Sequence, residues 1–205
     1  MKNEDISLNT KKKIAASLKK LMVKKDFAKI TVKEILEDAD VTRPTFYYHF
    51  EDIYDLMRWM FESELLIFMR NRRDLTDYKE AIRCMLEYVR ENYRVCMCAY
   101  NSVGRDILYR LFSETASANM HVYMQSMPEY GQADAEDIEF INSFYTAALA
   151  STLIRWMHQG MKESPEQLIE HLRITMEGNI EEALRKSCHT AANRIDKNNR
   201  DFFRD

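Results

Sequence analysis

The run Thr31-Val-Lys-Glu-Ile-Leu-Glu-Asp-Ala-Asp-Val-Thr-Arg-Pro-Thr-Phe-Tyr-Tyr-His-Phe50 decides how this chain is read. Thr31 stands three residues before Glu34, the spacing of a capping box, and opens a short helix through Ile35, Leu36 and Ala39. After Asp40 and Val41, Thr42 caps a second helix. Pro44 lies in its first turn, where a missing N–H costs nothing. This helix ends near His49 and Phe50, and Asp52 caps the next one. Two helices joined by a turn of about three residues make a helix-turn-helix.

Working outward, Ser7 or Asn9 can cap a first helix reaching about Lys25, with Ile14, Leu18, Leu21 and Met22 at spacings of three and four. Residues 26–29 break that pattern. Ile35, Ala39, Val41, Phe46 and Phe50 would then share a small core with Ile14, Leu18 and Phe27. Downstream, longer helices are expected over 52–70, 76–93, 104–126, 134–159 and 164–187. The loops between them fall at 71–75, 127–133 and 160–164, with Pro128, Gly131, Gly160 and Pro165 as punctuation. The expected organisation is a DNA-binding head at 1–51, a helical body at 52–188 and a polar tail at 189–205, frayed or disordered.

Composition agrees with an all-α fold. Of 205 residues, 46% are apolar, and only 4 Gly and 3 Pro are available for tight turns. No apolar run is long enough to span a membrane, and the charged start lacks the core of a signal peptide. Four cysteines (Cys84, Cys96, Cys98 and Cys188) are too few and too irregular for a disulfide framework, which suits a reducing cytoplasm. The net charge of −3 is unevenly spread. Residues 1–50 carry 11 Lys/Arg against 7 Asp/Glu, and the remainder 19 against 26. A basic head on an acidic body suits contact with phosphate at one end.

The quoted run resembles the helix-turn-helix of the TetR family of repressors. The likeness begins with the apolar first helix and Phe27, continues through T-V-K-E-I and A-x-V-T, and ends on T-F-Y-Y-H-F with Leu56 after it. It implies an all-α architecture of eight or nine helices, with a three-helix DNA-binding head and a helical bundle. It also implies base or sugar contacts at Arg43, Pro44, Thr45 and Tyr47, and backbone contacts at Thr31, Thr42, Tyr48 and His49. The chemistry of the residues agrees. Arg43 can donate bidentately to guanine, Pro44 and Thr45 can meet a thymine methyl, and the tyrosines, His49 and the two capping threonines can donate to phosphate. Lys33, on the leading edge of its helix, can reach a base or a phosphate. Two positions depart from the family pattern: Asp40 stands at a turn position usually held by Gly, and Ile53 where a phosphate-binding Lys is usual.

The body carries apolar stripes on a helical period. Phe144, Ala148, Leu149, Leu172, Met176, Ile180 and Leu184 are the expected dimer interface, because TetR-like proteins pair through two helices of each subunit. Candidates for an effector pocket are Trp59, Met60, Met85, Tyr88, Tyr109, Phe112, Tyr123, Met124, Tyr145 and Trp156. The segment R-W-M-x-x-G-M-K-E-S-P-E-x-L (155–168) further resembles a Firmicutes subgroup that regulates dihydroxyacetone-kinase operons, which includes activators working with a protein co-regulator. The expected function is a cytoplasmic homodimeric repressor on double-stranded operator DNA, governed by a small-molecule inducer or a protein co-regulator. Rival readings are an activator of the dihydroxyacetone-kinase type and a binding module that has lost its operator. A C-x-C pair with Cys84 and His121 is a thin basis for a metal or thiol sensor, and no cofactor or metal is expected. An enzyme is disfavoured, since no G-x-S-x-G, H-E-x-x-H or phosphate-cradling Gly loop is present.

Overall fold

In a computed structural model, residues 2–70, 78–102 and 105–188 are described, and every regular element among them is helical. The helices are α1 (Lys2–Met22), α2 (Val32–Ala39), α3 (Arg43–His49), α4 (Ile53–Arg70), α5 (Tyr78–Glu91), α6 (Tyr93–Tyr100), α7 (Arg105–Gln125), α8 (Ala135–His158), α9 (Pro165–Met176) and α10 (179–188). Short 3-10 turns occupy Phe27–Lys29 and Tyr130–Gln132. The chain divides into two compact units, one of residues 1–72 with 87–111 and one of 73–86 with 112–205. The loop expected at 71–75 and the tail expected at 189–205 lie outside the described residues.

The first unit is built on α1, which packs against α2, α4 and α6. Ile14, Leu18 and Met22 of α1 are buried with Phe27, Ile35, Ala39, Phe46 and Phe50, and with Leu56, Met57 and Met60 of α4. The buried Ser17 hydroxyl donates to the Ile35 carbonyl at 3.1 Å, tying α1 to α2. Deeper in this unit Glu64 accepts from Lys19 at 2.7 Å and from the Tyr88 hydroxyl at 3.2 Å. In the second unit the buried residues are Phe112, Ala116, Met120 and Met124 of α7, Ile141, Ala150, Leu153 and Met157 of α8, and Leu168, Met176, Ile180 and Leu184.

Four sequence expectations are corrected. The first helix starts at Lys2, so Ser7 and Asn9 lie within it and cap nothing; residues 2–6 are compatible with helix and simply extend it. It ends at Met22, short of Lys25. Residues 94–100, which carried no expected helix, fall in α6 after Asn92, because Val95, Cys96 and Ala99 bury one face of its two turns. The helix expected over 164–187 is two. It stops at Met176, and Gly178 takes a φ of +78°, the left-handed conformation that ends a helix at least cost in glycine. Met176, Ile180 and Leu184 keep a four-residue period across that break, so periodicity alone could not reveal it.

Candidate nucleic-acid interface

The capping box at α2 is complete. Glu34 N–H donates to Thr31 Oγ1 at 3.3 Å, and Glu34 Oε2 accepts from the Thr31 N–H at 3.0 Å and hydroxyl at 2.9 Å. Lys25 also pairs with Glu34. Hydrogen bonds from Lys25 and from Thr31 hold the Glu34 carboxyl at a pKa of about 2, against an ordinary 4.5. A carboxylate depressed in the folded state stabilises above its unfolded pKa and loses that contribution as pH falls through its folded one. The melting-temperature gap between the parent and Glu34→Gln is therefore expected to be full above pH 4.5 and to close as pH falls toward 2. An equal gap at pH 6 and pH 2.5 in thermal melts would contradict this charge argument.

Asp40 ends α2 with φ 48° and ψ 57°, the left-handed position expected where relatives of this motif use Gly. Asp tolerates that region better than most residues. Lys13 closes over the same turn, donating to the Asp40 carbonyl at 3.4 Å. Thr42 then caps α3, accepting from the Thr45 N–H at 3.4 Å while its hydroxyl meets that of Thr45 at 2.8 Å. Pro44 falls in the first turn of α3.

Helix α3 sorts its side chains by face. Phe46 is fully buried and Phe50 is buried behind it. Arg43, Pro44, Tyr47 and Tyr48 are exposed, Tyr48 to 81%, while Thr45 and His49 are half-buried. The Arg43 guanidinium lies over the Tyr47 ring, 5.6 Å from its centroid, with Nη2 3.5 Å from the hydroxyl. That contact preorders the arginine on the outer face. Thr31, Thr42 and Lys33 are exposed on the same helix-turn-helix, and Lys33 pairs with Glu37 at 3.8 Å. All nine residues singled out as DNA-binding lie on this helix pair, seven of them exposed and Thr45 and His49 half-buried.

Lys11 was missed. Its ammonium sits 5.5 Å from the Phe50 ring centroid and 5.6 Å from that of Trp59. With burial as the larger cause, Lys11 also lowers the pKa of His49. The Lys11-Lys12-Lys13 run was the available signal. At the start of α4, the Asp55 N–H donates to Asp52 Oδ1 at 2.8 Å, so Asp52 caps it as expected, and the Tyr54 ring lies tilted against Phe27 with centroids 5.2 Å apart.

The effector candidates scatter. Met85 lines an apolar cavity of about 30 Å3 in the second unit, with Ala81, Ile82, Met120, Leu149 and Leu168, and with Tyr78, Asn119 and Thr152 as polar neighbours. The other nine do not line it. Trp59 packs edge-on against Phe50, Met60, Phe112 and Met124 are core, and Tyr109 is exposed. Tyr88 is buried on Glu64, Trp156 is buried with its indole N–H donating to the Glu163 carbonyl at 2.9 Å, and Tyr123 and Tyr145 gather near Glu181. Aromatic and Met residues at helical spacing mark core and pocket alike, which is why sequence could not separate them.

The dimer candidates also divide. Phe144 and Ala148 are exposed, but Leu149, Met176, Ile180 and Leu184 are buried inside the chain's own core and Leu172 is half-buried. A stripe one helix wide has two edges, and these residues lie on the inner one. Cys96 is fully buried, and burial pushes its thiol up to about 12, so its thiolate is not available as a ligand or nucleophile at neutral pH.

A capped helix pair with a short left-handed turn, presenting arginine and tyrosines from its second helix, defines a helix-turn-helix DNA-binding regulator. The chain belongs to the TetR family of bacterial regulatory proteins: the family's N-terminal model matches residues 14–59, and a transcriptional-regulator C-terminal region of the same family matches 76–178. It is 30% identical over 86 residues to the HTH-type dhaKLM operon transcriptional activator DhaS of Lactococcus lactis, a match covering 42% of this chain and 46% of that protein. The chain therefore spans about half the length of that curated relative. In fold it is similar to the dihydroxyacetone kinase operon activator DhaS (TM-score 0.65, 20% identity, 83% of this chain and 96% of that one). It is also similar to the fatty acid degradation regulator FadR of Bacillus halodurans (TM-score 0.53, 14% identity, 82% and 95%). A third likeness is to NalD, the secondary repressor of the MexAB-OprM multidrug efflux pump in Pseudomonas aeruginosa (TM-score 0.52, 18% identity, 83% and 94%). No helix among the described residues is long and apolar enough to cross a membrane.

Proposed function

We propose that this transcriptional regulator is a cytoplasmic homodimeric repressor that reads double-stranded operator DNA with α3, the body at 52–188 coupling an effector to operator affinity. The exposed Arg43–Tyr47 pair, held by the Thr42 cap above the buried Phe46, carries the reading. Arg43, Pro44, Thr45 and Tyr47 face bases. Thr31, Lys33, Thr42, Tyr48 and His49 serve the phosphates, and Lys11 adds charge beside them. Two copies would place their α3 helices in successive major grooves about 34–36 Å apart. The head at 1–51 is the reading part.

The dimer face we assign is the outer edge of α8. Phe140 and Phe144 are 69% and 60% exposed with rings stacked 6.5 Å apart, and the exposed Ala147, Ala148 and Ser151 continue the line. Ile174 of α9 is 62% exposed as well.

Selecting duplex fragments with the purified protein and sequencing them tests the function; a palindromic site with half-sites about one helical turn apart is expected. On that site Arg43→Ala is expected to cost about 1–3 kcal/mol and to relax preference at one base pair. An equal loss on random DNA would refute base reading by Arg43. A second reading, activation, is favoured by the likeness to the Lactococcus lactis operon activator. A promoter reporter carrying the selected site separates the two by the sign of its response.

A further inference from the structure

In the second unit α5, α7 and α10 are linked in series through Tyr78, Tyr123 and the Glu181 carboxylate. Glu181 of α10 accepts a hydrogen bond from the Tyr123 hydroxyl of α7 through Oε1 at 3.1 Å. Its other oxygen, Oε2, is buried and has no hydrogen-bond partner among the described residues. Tyr123 in turn packs against Tyr78 of α5, the rings tilted at 50° with centroids 4.6 Å apart. Burial, and then the Glu181 charge, raises the pKa of Tyr123, and the same two causes raise that of Tyr145 on α8. The basic residue beside Tyr78, Lys79, pairs with Glu177 at 3.7 Å. No ion pair joins Glu181 to a cation among the described residues.

A buried carboxylate oxygen without a donor is costly, and a cationic donor removes that cost better than a neutral one. Tyrosine faces attract the same partner, because the ring quadrupole favours positive charge; Lys79 already lies over Tyr78, 5.7 Å from its centroid, so Tyr123 is the ring beside Glu181 that offers its face. Tyr78 also lines the apolar cavity bounded by Met85, Met120 and Leu168, so a polar end and an apolar end share one ring. We infer that this cluster is a binding site for a small organic ammonium ion, its head on Glu181 Oε2 among the tyrosines and a short alkyl arm in the cavity past Tyr78. The cavity's interior of about 30 Å3 holds only two or so waters, so the arm is short and the flexible Met85 and Met120 side chains shift to admit it. The inference rests on the reading of the body as an effector-binding part.

The test is calorimetric titration and thermal melting of the full chain with n-butylammonium, n-butanol and butyrate. Butylammonium is expected to bind roughly ten- to a hundredfold more tightly than butanol, with butyrate excluded. Glu181→Gln should bring butylammonium down to the butanol level. Tyr123→Phe keeps the ring, releases Oε1 and should retain ammonium binding. Equal affinity for ammonium and alcohol, tight butyrate binding, or undiminished ammonium binding by a folded Glu181→Gln would overturn the site. Should Glu181→Gln fail to fold, the three-ligand comparison on the parent decides alone. Operator affinity measured alongside separates the two ideas: ammonium binding with operator affinity unchanged upholds the site and sinks the effector role of the body, whereas no ammonium binding sinks the site and leaves operator reading standing.

Discussion

Phe46→Ala is expected to cost about 3–5 kcal/mol of stability, the range for removing a buried aromatic ring. Phe46 is fully buried on the inward face of α3, with Tyr47 and Phe50 rings 5.3 and 5.9 Å away. α3 has only seven residues, too few to hold a helix by local hydrogen bonds. Its position therefore depends on packing, and a loss of this size is a large share of the roughly 5–15 kcal/mol that holds a typical domain. Urea unfolding followed by fluorescence measures it, since Trp59 packs against Phe50 at 5.8 Å and reports on the same core. Tyr48→Ala is the contrast: at 81% exposure its removal should leave the midpoint unchanged and lower only DNA affinity. A Phe46→Ala midpoint shifted by less than about 1 kcal/mol would show that α3 is held by something other than its ring.

Phe144→Glu is expected to convert the protein to monomers at micromolar concentration and to weaken operator binding roughly a hundredfold or more, because one half-site is then read without the other. The substitution puts a charge in the middle of the exposed stripe on α8, which in the proposed dimer would lie beside its own copy across a two-fold axis, where like charges would meet without water to screen them. The side chain is 60% exposed within the chain, so folding of the monomer is unaffected. Sedimentation at several concentrations, with circular dichroism as a control, is the measurement. A folded variant that still sediments as a dimer would move the interface elsewhere. Leu149→Glu is the informative partner: Leu149 is buried inside the chain, and its loss should appear as unfolding instead of dissociation.

The helix-turn-helix was legible because every signal in it is local. Thr31 and Glu34 cap within three residues, Pro44 tolerates only a first turn, and Asp40 sits where a left-handed residue is required. Such features depend on backbone groups a few bonds away, so tertiary context does not alter them. The place of Lys11 is not local, because its neighbours Phe50 and Trp59 are distant in sequence and close only after folding. The same holds for Glu181, which gains meaning from Tyr123, fifty-eight positions before it.

By itself, the sequence determined an all-α chain, a capped DNA-reading head with Arg43, Pro44 and Tyr47 on its outer face, and the family that carries this head. Helical period and end-caps are properties of single segments, and these suffice for that much. The tertiary structure alone decided that α6 exists, that Gly178 splits the last stripe, and that Met176, Ile180 and Leu184 face inward while Phe140 and Phe144 face out. A 3.6-residue period tells which residues share a face, but only the neighbouring helices determine whether that face is covered.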